Sequence, residues 1–481
     1  MLRLRSSADG WRGEIGVSFT PAAAGLLAGA VLDVLSATGQ PRRILISYDG
    51  RRGGPAVAAA VQAAVGDRLA TAATVLSGVP TPVASAAVCA GDFELAFLVT
   101  ASHNPAGWNG LKIKSGVAGS ISPAMERQIE SRYLELSEQP AEAAASPAAD
   151  PGPVTAAGSP QPMIEAHLSR VLARVGGDPG RPWRVVVDGL HGIAGPAMVR
   201  LAELLGWTVL PIGCQAEQDF GGLIPDPTLA ASRSRLSAAV RAEHADFGIV
   251  LDGDGDRVFL LGSDGGVVSC GELYALLLDQ LYRSRPALPS RRIAVTSTTA
   301  SLPGRIAAEH GGEALVTGVG FKNMAELLAG GQICAAGGNV GDLAFAPFGF
   351  DRDPSVVVAL LGRLLADSGQ SLDAALERLR RRYGRRHYLE TAVSCPAGEL
   401  DLAATAVALL ATTGLGLRIA SMNRVDGIRL ALPEQQWLSV RRSSTENLVR
   451  AYAEFSGPVL SEAELRTALR GALRPASGRD T

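Results

Sequence analysis

Leu95-Ala-Phe-Leu-Val-Thr-Ala-Ser-His-Asn-Pro105, with Trp108-Asn-Gly-Leu-Lys112 close behind, is the stretch on which the reading of this chain turns. The run Leu95 to Val99 is short and wholly apolar, the pattern of a buried strand. Small and polar residues end it abruptly, and Pro105 rules out simple continuation. Ser102 therefore stands at the mouth of a strand, where open α/β sheets place their ligands. There its hydroxyl is a candidate to carry a covalent group. Taken alone, a Ser-His-Asn-Pro string is more often a turn whose hydroxyl caps backbone, so the reading needs support from elsewhere.

Leu251-Asp-Gly-Asp-Gly-Asp-Arg257 supplies it, directly after a second apolar run, Phe247 to Leu251. Three carboxylates alternate with two glycines, which let the backbone fold tightly enough for the acids to converge. Gathered at one point, Asp252, Asp254 and Asp256 repel one another unless a cation sits between them. All-oxygen ligation suits a hard ion, Mg²⁺ or Ca²⁺. A calcium-binding EF-hand loop is excluded, because its sixth position would be Arg257 instead of Gly and its twelfth Ser263 instead of Glu. A short site that leaves water or phosphate oxygens to finish the shell is the more Mg²⁺-like.

A third segment, Val440-Arg-Arg-Ser-Ser-Thr-Glu-Asn447, gathers two guanidiniums and three hydroxyls. Arginine forks match phosphate oxygens in bidentate geometry, and hydroxyls complete such a cradle. Composition adds an independent signal. Of 45 basic residues only three are lysine: Lys112, Lys114 and Lys322. Where arginine serves for ordinary positive charge, a retained lysine points to something arginine does poorly, such as releasing a proton. Lys112 and Lys322 are read in this way, and Lys114 as a surface charge.

These segments, in this order and over almost the whole length, resemble the alpha-D-phosphohexomutase superfamily of phosphoglucomutase, phosphomannomutase and phosphoglucosamine mutase. Asp9-Gly-Trp-Arg12-Gly resembles its N-terminal arginine motif, Thr100 to Pro105 its phosphoserine loop, and Val187-Asp-Gly-Leu-His191-Gly the opening strand of its second domain. Asp252 to Arg257 resembles the metal loop, Thr317 to Lys322 a substrate-contact loop, and Arg441 to Glu446 the C-terminal phosphate loop. The resemblance implies an intramolecular phosphotransferase, an isomerase of carbohydrate metabolism. Phospho-Ser102 would pass its group to a hexose phosphate, form a bisphosphorylated sugar and take back the other phosphate, with a bisphosphorylated sugar as priming donor. Mg²⁺ would sit on Ser102, Asp252, Asp254 and Asp256. Arg12 and Arg257 would hold charge near the serine phosphate, Lys112 would move a proton, and His103 would orient the loop or share that role. Arg441, Ser443, Ser444 and Thr445 would hold the non-reacting phosphate, and Lys322, Gly338, Asn339 and Asp342 would meet the sugar.

One departure is marked. The superfamily reads sugar hydroxyls with Gly-Glu-x-Ser-Gly, and the matching stretch here is Gly337-Gly-Asn-Val-Gly-Asp342. Glutamate and serine are both missing. Either Asp342 substitutes from a shifted backbone, or the sugar is atypical, or mutase turnover is lost. The alternatives to a mutase are a phosphosugar phosphatase, a bisphosphate-forming phosphotransferase, and a non-catalytic homologue that binds a phosphorylated ligand.

At 481 residues and 47% hydrophobic content the chain is long enough for several cores. Strand-like runs at 43–47, 95–99, 183–187, 247–251 and 293–296 alternate with Ala/Leu-rich helical stretches such as 21–35 and 232–243, which points to mixed or parallel sheets. The expected architecture is three related α/β domains and a smaller α+β domain around a central cleft. These would be 1–137 with the serine loop, 163–268 with the metal loop, 269–385 with the sugar loop and 386–481 with the phosphate loop. Residues 138–162, rich in Ala and Pro, read as a linker. A net charge of −2 without a long basic block argues against nucleic acid. Arg378 to Arg386 reads as a solvated helix end. Five scattered cysteines without metal spacing read as buried thiols in a reducing cytoplasm, and no stretch reads as a membrane span or signal segment. The partner expected is a small phosphosugar; oligomeric state stays open.

Overall fold

The structure, a computed structural model, describes residues 4–6, 9–36, 39, 41–69, 73–116, 119–138, 158–176, 181–285, 287–288, 290–395, 400–414, 416–443, 447–457 and 460–473. The expected linker falls mostly outside them. The described chain forms four sheets. Apolar runs become strands where the sequence places them: Leu95–Val99 and Phe247–Leu251 are buried at every position. The run at 43–47 is observed as Ile44–Tyr48, and that at 183–187 as Arg184–Asp188.

The first three sheets share a plan that no short sequence repeat announces. In each, a parallel strand ends in a loop and returns along its own edge as an antiparallel neighbour. Leu95–Val99 returns as Trp108–Ser115, Phe247–Leu251 as Val258–Leu261, and Ala335–Gly337 as Leu343–Phe345. The loops so formed are the serine loop, the acidic loop and the stretch 338–342. All three lie beyond the carboxyl ends of parallel strands, the edge at which open α/β sheets gather ligands. The fourth sheet is antiparallel throughout, running from His387–Ser394 through Leu448–Phe455, Trp437–Arg442 and Ile428–Ala431 to Ser421–Asn423.

Packing welds the first three units together. One hydrophobic core runs from Val83 and Leu98 through Trp183 and Phe247 to Tyr274 and Val357. The helix Pro354–Ser368 is buried on nearly all sides, as expected of a helix that is apolar all round, and Gly362 lies against the Trp207 ring. The fourth unit has a core of its own around Leu409, Leu430, Leu438 and Leu465. Its attachment is polar: Glu454 accepts from the backbone N–H and hydroxyl of Ser301, and Arg429 donates to the carbonyl of Ser297 at 2.6 Å. No described helix is long and apolar enough to cross a membrane.

Candidate active site

Residues from all four units line one cleft of about 2240 Å³, among them Arg12, His103, Arg257, Lys322, Asn339, Asp342, Arg441 and Ser443. Ser102, Lys112 and the three aspartates are buried just behind this lining, Ser102 next to His103 and Asp256 next to Arg257 in the chain. Ser102 Oγ donates to Asp252 Oδ2 at 2.7 Å, and His103 Nδ1 lies 3.3 Å from the same hydroxyl. Ser102 holds a left-handed backbone, φ 52°, which costs a non-glycine residue about 1–2 kcal/mol and must be imposed by its surroundings.

Arg51 imposes it. Its guanidinium, fully buried, donates to the carbonyls of Ser102 (2.6 Å), Asn104 (2.7 Å), Pro105 (2.8 Å) and Trp108 (3.0 Å), and to Asp49 at 3.1 Å. From the second unit, the Phe220 ring packs against it at 4.6 Å. The acidic loop approaches from the other side, and only glycine permits it: a Cβ on Gly253 would lie 2.6 Å from the Ser102 carbonyl oxygen.

The acidic loop converges as its spacing requires. Ligand oxygens of Asp252, Asp254 and Asp256 lie within 4.8 Å of one another, and all three residues are buried. Asp252 accepts from the backbone N–H groups of Asp256 and Arg257 through its other oxygen. Burial together with the charges of Asp256 and Asp254 pushes the Asp252 carboxyl well above its ordinary value. Two buried oxygens, Asp254 Oδ1 and Asp256 Oδ1, have no hydrogen-bond partner. The ammonium of Lys112 draws onto the same cluster, 2.7 Å from Asp254 and 2.5 Å from Asp256. A set of convergent carboxylates with orphaned oxygens and a cation drawn onto it fits a hard dication.

Positive charge from elsewhere frames the cluster. Arg352, a residue the sequence did not single out, pairs with Asp256 at 2.9 Å and with Asp9. Lys112 also reaches Asp9, at 3.1 Å. Burial works to raise the Asp9 carboxyl, yet Lys114, Lys112, Arg352 and Arg12 hold it well below its usual range. For Lys112, burial works to lower the ammonium, but Asp254, Asp256 and Asp9 drive it upward. His103 goes the other way: burial, then Arg257, Arg12 and Lys112, hold its imidazole well below its ordinary value, so it is neutral at pH 7. Arg12 donates to Asn104 at 2.8 Å and lies 3.5 Å from His103.

Profiles of the phosphoglucomutase/phosphomannomutase α/β/α domains I, II and III match residues 3–140, 160–265 and 271–383. The phosphoglucosamine mutase of Mycolicibacterium vanbaalenii is 31% identical over 377 residues, covering 77% of this chain and 80% of that protein. The chain belongs to the phosphoglucomutase/phosphomannomutase family. A phosphoglucosamine/phosphogalactosamine mutase of Sulfurisphaera tokodaii is 24% identical across 93% of this chain and 94% of its own length. In fold, a phosphoglucomutase/phosphomannomutase family protein from Burkholderia thailandensis matches with a TM-score of 0.73 at 22% identity, covering 97% of this chain and 96% of that one.

Within this phosphoglucomutase/phosphomannomutase family frame, the remaining sequence-picked residues fall as follows. Arg257 borders the cleft, 3.9 Å from Asp256. Lys322 pairs with Glu126, joining the third unit to the first. Arg441 donates to Asp426 at 3.0 Å, and Ser443 lies beside it on the cleft wall. Ser444 and Thr445 lie outside the described residues. Gly338 is buried, and its N–H donates to Asp342 Oδ1 at 3.1 Å.

Lys114 corrects the sequence reading. It is fully buried instead of exposed, and its ammonium holds Asp351 at 2.6 Å and Ser120 at 2.9 Å. The signal was available, since residues 112 and 114 are two apart on a strand and share a face. Arg51 and Arg352 carried no comparable signal in a chain where arginine is the ordinary base. The basic stretch 378–386 does end a helix, with Arg380 on Glu272 and Arg382 on Glu309. All five cysteines are thiols, and Cys214, Cys270 and Cys334 are buried. Cys89 and Cys395 are only half-buried, so the expectation of five buried thiols is corrected for these two. Burial pushes Cys214 to about 11 and Cys270 to about 12.

Proposed function

We propose that the protein is a Mg²⁺-dependent phosphohexomutase that moves a phosphoryl group between the 1 and 6 positions of a hexose phosphate through phospho-Ser102. The observation that carries this reading is the 2.7 Å contact between Ser102 Oγ and an aspartate of the convergent acidic loop. A nucleophilic hydroxyl and a dication site face each other just behind the cleft lining, where transferring phosphoryl oxygens need neutralising charge. Asp252, Asp254 and Asp256 would hold the ion, which would supply Lewis-acid stabilisation of those oxygens.

The chain's own residues do the rest. As a sugar hydroxyl attacks the phosphoserine, its O–P bond forms while the Oγ–P bond breaks. The proton lost by the sugar hydroxyl is balanced by one gained at the departing Ser102 Oγ, and His103, neutral at pH 7 and 3.3 Å from Oγ, is placed to relay it to that oxygen. Lys112, held protonated by Asp254, Asp256 and Asp9, acts as a fixed charge beside the transferring group. Arg12 and Arg257 line the same cleft and hold negative charge. Arg441 and Ser443, across the cleft, grip the phosphate that is not reacting. The two orientations of a bisphosphorylated sugar then exchange within one enclosure.

Intact-mass measurement of protein primed with a hexose bisphosphate should show one added phosphate that disappears in Ser102→Ala. Phosphorus NMR over glucose, mannose, glucosamine and galactosamine phosphates should show isomerisation. Release of inorganic phosphate alone would support the phosphatase reading, and no phosphate on Ser102 under any priming condition would overturn the mutase.

A further inference from the structure

The loop that should read the sugar spends most of its polar side-chain atoms on the protein itself. Asn339 Oδ1 accepts from Thr298 Oγ1 at 3.0 Å, and its Nδ2 donates to the Tyr388 hydroxyl at 2.7 Å. Asp342 turns back onto the Gly338 N–H. Gly341 is left-handed, φ 79°, and its carbonyl accepts from the Val258 N–H at 3.1 Å. A Cβ at 341 would drive into the Val258 carbonyl, so the missing serine could not be restored without moving the loop. Among the described residues of this loop the one carboxylate, Asp342, is 4% exposed and partly committed to the loop's own backbone, a poor substitute for the missing glutamate.

A carboxylate does stand beside this loop, on another domain. Glu390 lies on the strand His387–Ser394, the first of the C-terminal sheet, and borders the cleft. Its Oε2 is 3.4 Å from Asn339 Nδ2, and its Oε1 is 3.6 Å from Arg450. Strand alternation sets Tyr388 and Glu390 on the cleft face while Leu389 enters the core. Glu390 faces Tyr452 in register, on the wall that also carries Arg441 and Ser443.

We propose that Glu390 is the specificity carboxylate of this enzyme, accepting hydrogen bonds from ring hydroxyl or amino groups of the hexose phosphate. The inference rests on the mutase reading and assigns to the fourth unit a role that the third does not fill. The two contacts Glu390 makes within the protein are long, and side-chain exposures of 41% for Glu390 and 30% for Arg450 mark a loose pair of little structural worth. Burial raises the Glu390 carboxyl from its ordinary value, with Arg450 offsetting only part of that. A carboxylate so weakly compensated has acceptor capacity to offer a ligand. Because Glu390 shares a sheet with Arg441, sugar ring and distal phosphate would be read by one rigid body.

The test pairs Glu390→Gln with deoxy and deoxyamino hexose phosphates, using the full-length Mg²⁺-loaded enzyme. The glutamine variant should melt within about 2 °C of wild type and lose roughly 10- to 100-fold in kcat/KM, the range for one charge-assisted hydrogen bond. One deoxy analogue should carry a similar penalty with wild type and almost none with Glu390→Gln, a coupling that a merely structural role would not produce. Restoring a carboxylate in Asn339→Glu/Glu390→Gln should recover part of the loss. Wild-type turnover with Glu390→Gln within twofold, and the same deoxy penalties in both proteins, would overturn this inference alone. A wild type inactive on every sugar in the panel would overturn the mutase reading, and this one with it.

Discussion

Replacing Arg51 with methionine should both destabilise the first unit and release the serine loop. The guanidinium makes five hydrogen bonds, four to carbonyls of residues 102–108 and one to Asp49. Methionine fills a similar volume but donates nothing. It leaves the Asp49 carboxylate buried at 1% side-chain exposure without its cation. Breaking a buried pair from one side costs about 3–5 kcal/mol. The four carbonyls belong to a loop that borders the cleft, so water can reach some of them, and about 1–2 kcal/mol more is expected there. The total, roughly 5 kcal/mol, is comparable with the whole stability of a marginal domain. It should lower the first thermal transition by roughly 10–20 °C. Asp49→Asn/Arg51→Met, which removes the stranded charge, should regain about 2–3 kcal/mol of this. The functional effect is separate. Without Arg51 the loop loses four of the bonds that hold Ser102 in its left-handed backbone, and those left, to Thr100 and Asp252, should no longer keep Oγ in place. Phosphoryl occupancy of Ser102, read by intact mass in protein still folded at 20 °C, should fall at least tenfold. The reasoning fails if Arg51→Met melts within about 3 °C of wild type and still takes phosphate at the wild-type rate.

Gly253→Ala should be a milder lesion of the same junction. Its new Cβ, 2.6 Å from the Ser102 carbonyl, forces the two loops apart at about 1–3 kcal/mol, and kcat should fall well before KM changes. Unaltered kcat would show that the junction gives way without consequence. Magnesium at 100 times its dissociation constant should stabilise the protein by about 2.7 kcal/mol, seen as an upward thermal shift, and Asp254→Asn should abolish that shift. An equal shift in the variant would place the ion elsewhere. Asp353 gives a pH signature away from the cleft. Burial works to raise its carboxyl, but His167 at 2.9 Å and the N–H groups of Ser355 and Val356 leave it below its ordinary value. A depressed carboxyl stabilises the fold above its unfolded value, near pH 4, and that contribution disappears as pH falls through the lower folded value. Asparagine keeps the helix cap. Asp353→Asn should therefore be about 1 kcal/mol less stable than wild type at pH 6, with the gap closing below pH 4 in urea titrations. A gap independent of pH would contradict this.

Elements whose burial is complete were the most legible. Leu95–Val99, Phe247–Leu251 and Ile293–Thr296 have the bounds their runs suggest, because a strand covered on both faces is apolar at nearly every position, with Thr296 the one hydroxyl, bonded to Thr299. The acidic loop was equally plain, since its carboxylates converge through local backbone alone. Lys114 shows where reading residue by residue fails. Its neighbours in sequence do not reveal Asp351, which is 237 positions away and is its hydrogen-bond partner.

The sequence alone determined the serine, the acidic loop and the α/β character, because each depends on residues within about ten positions of one another. Tertiary structure decided everything that depends on distant segments meeting. It brought Arg51 under the serine loop, Arg352 onto Asp256, and Glu390 beside a loop that lacks the family's glutamate. Charge and hydrogen bonding act over a few ångströms, and only the folded chain sets which groups lie that close.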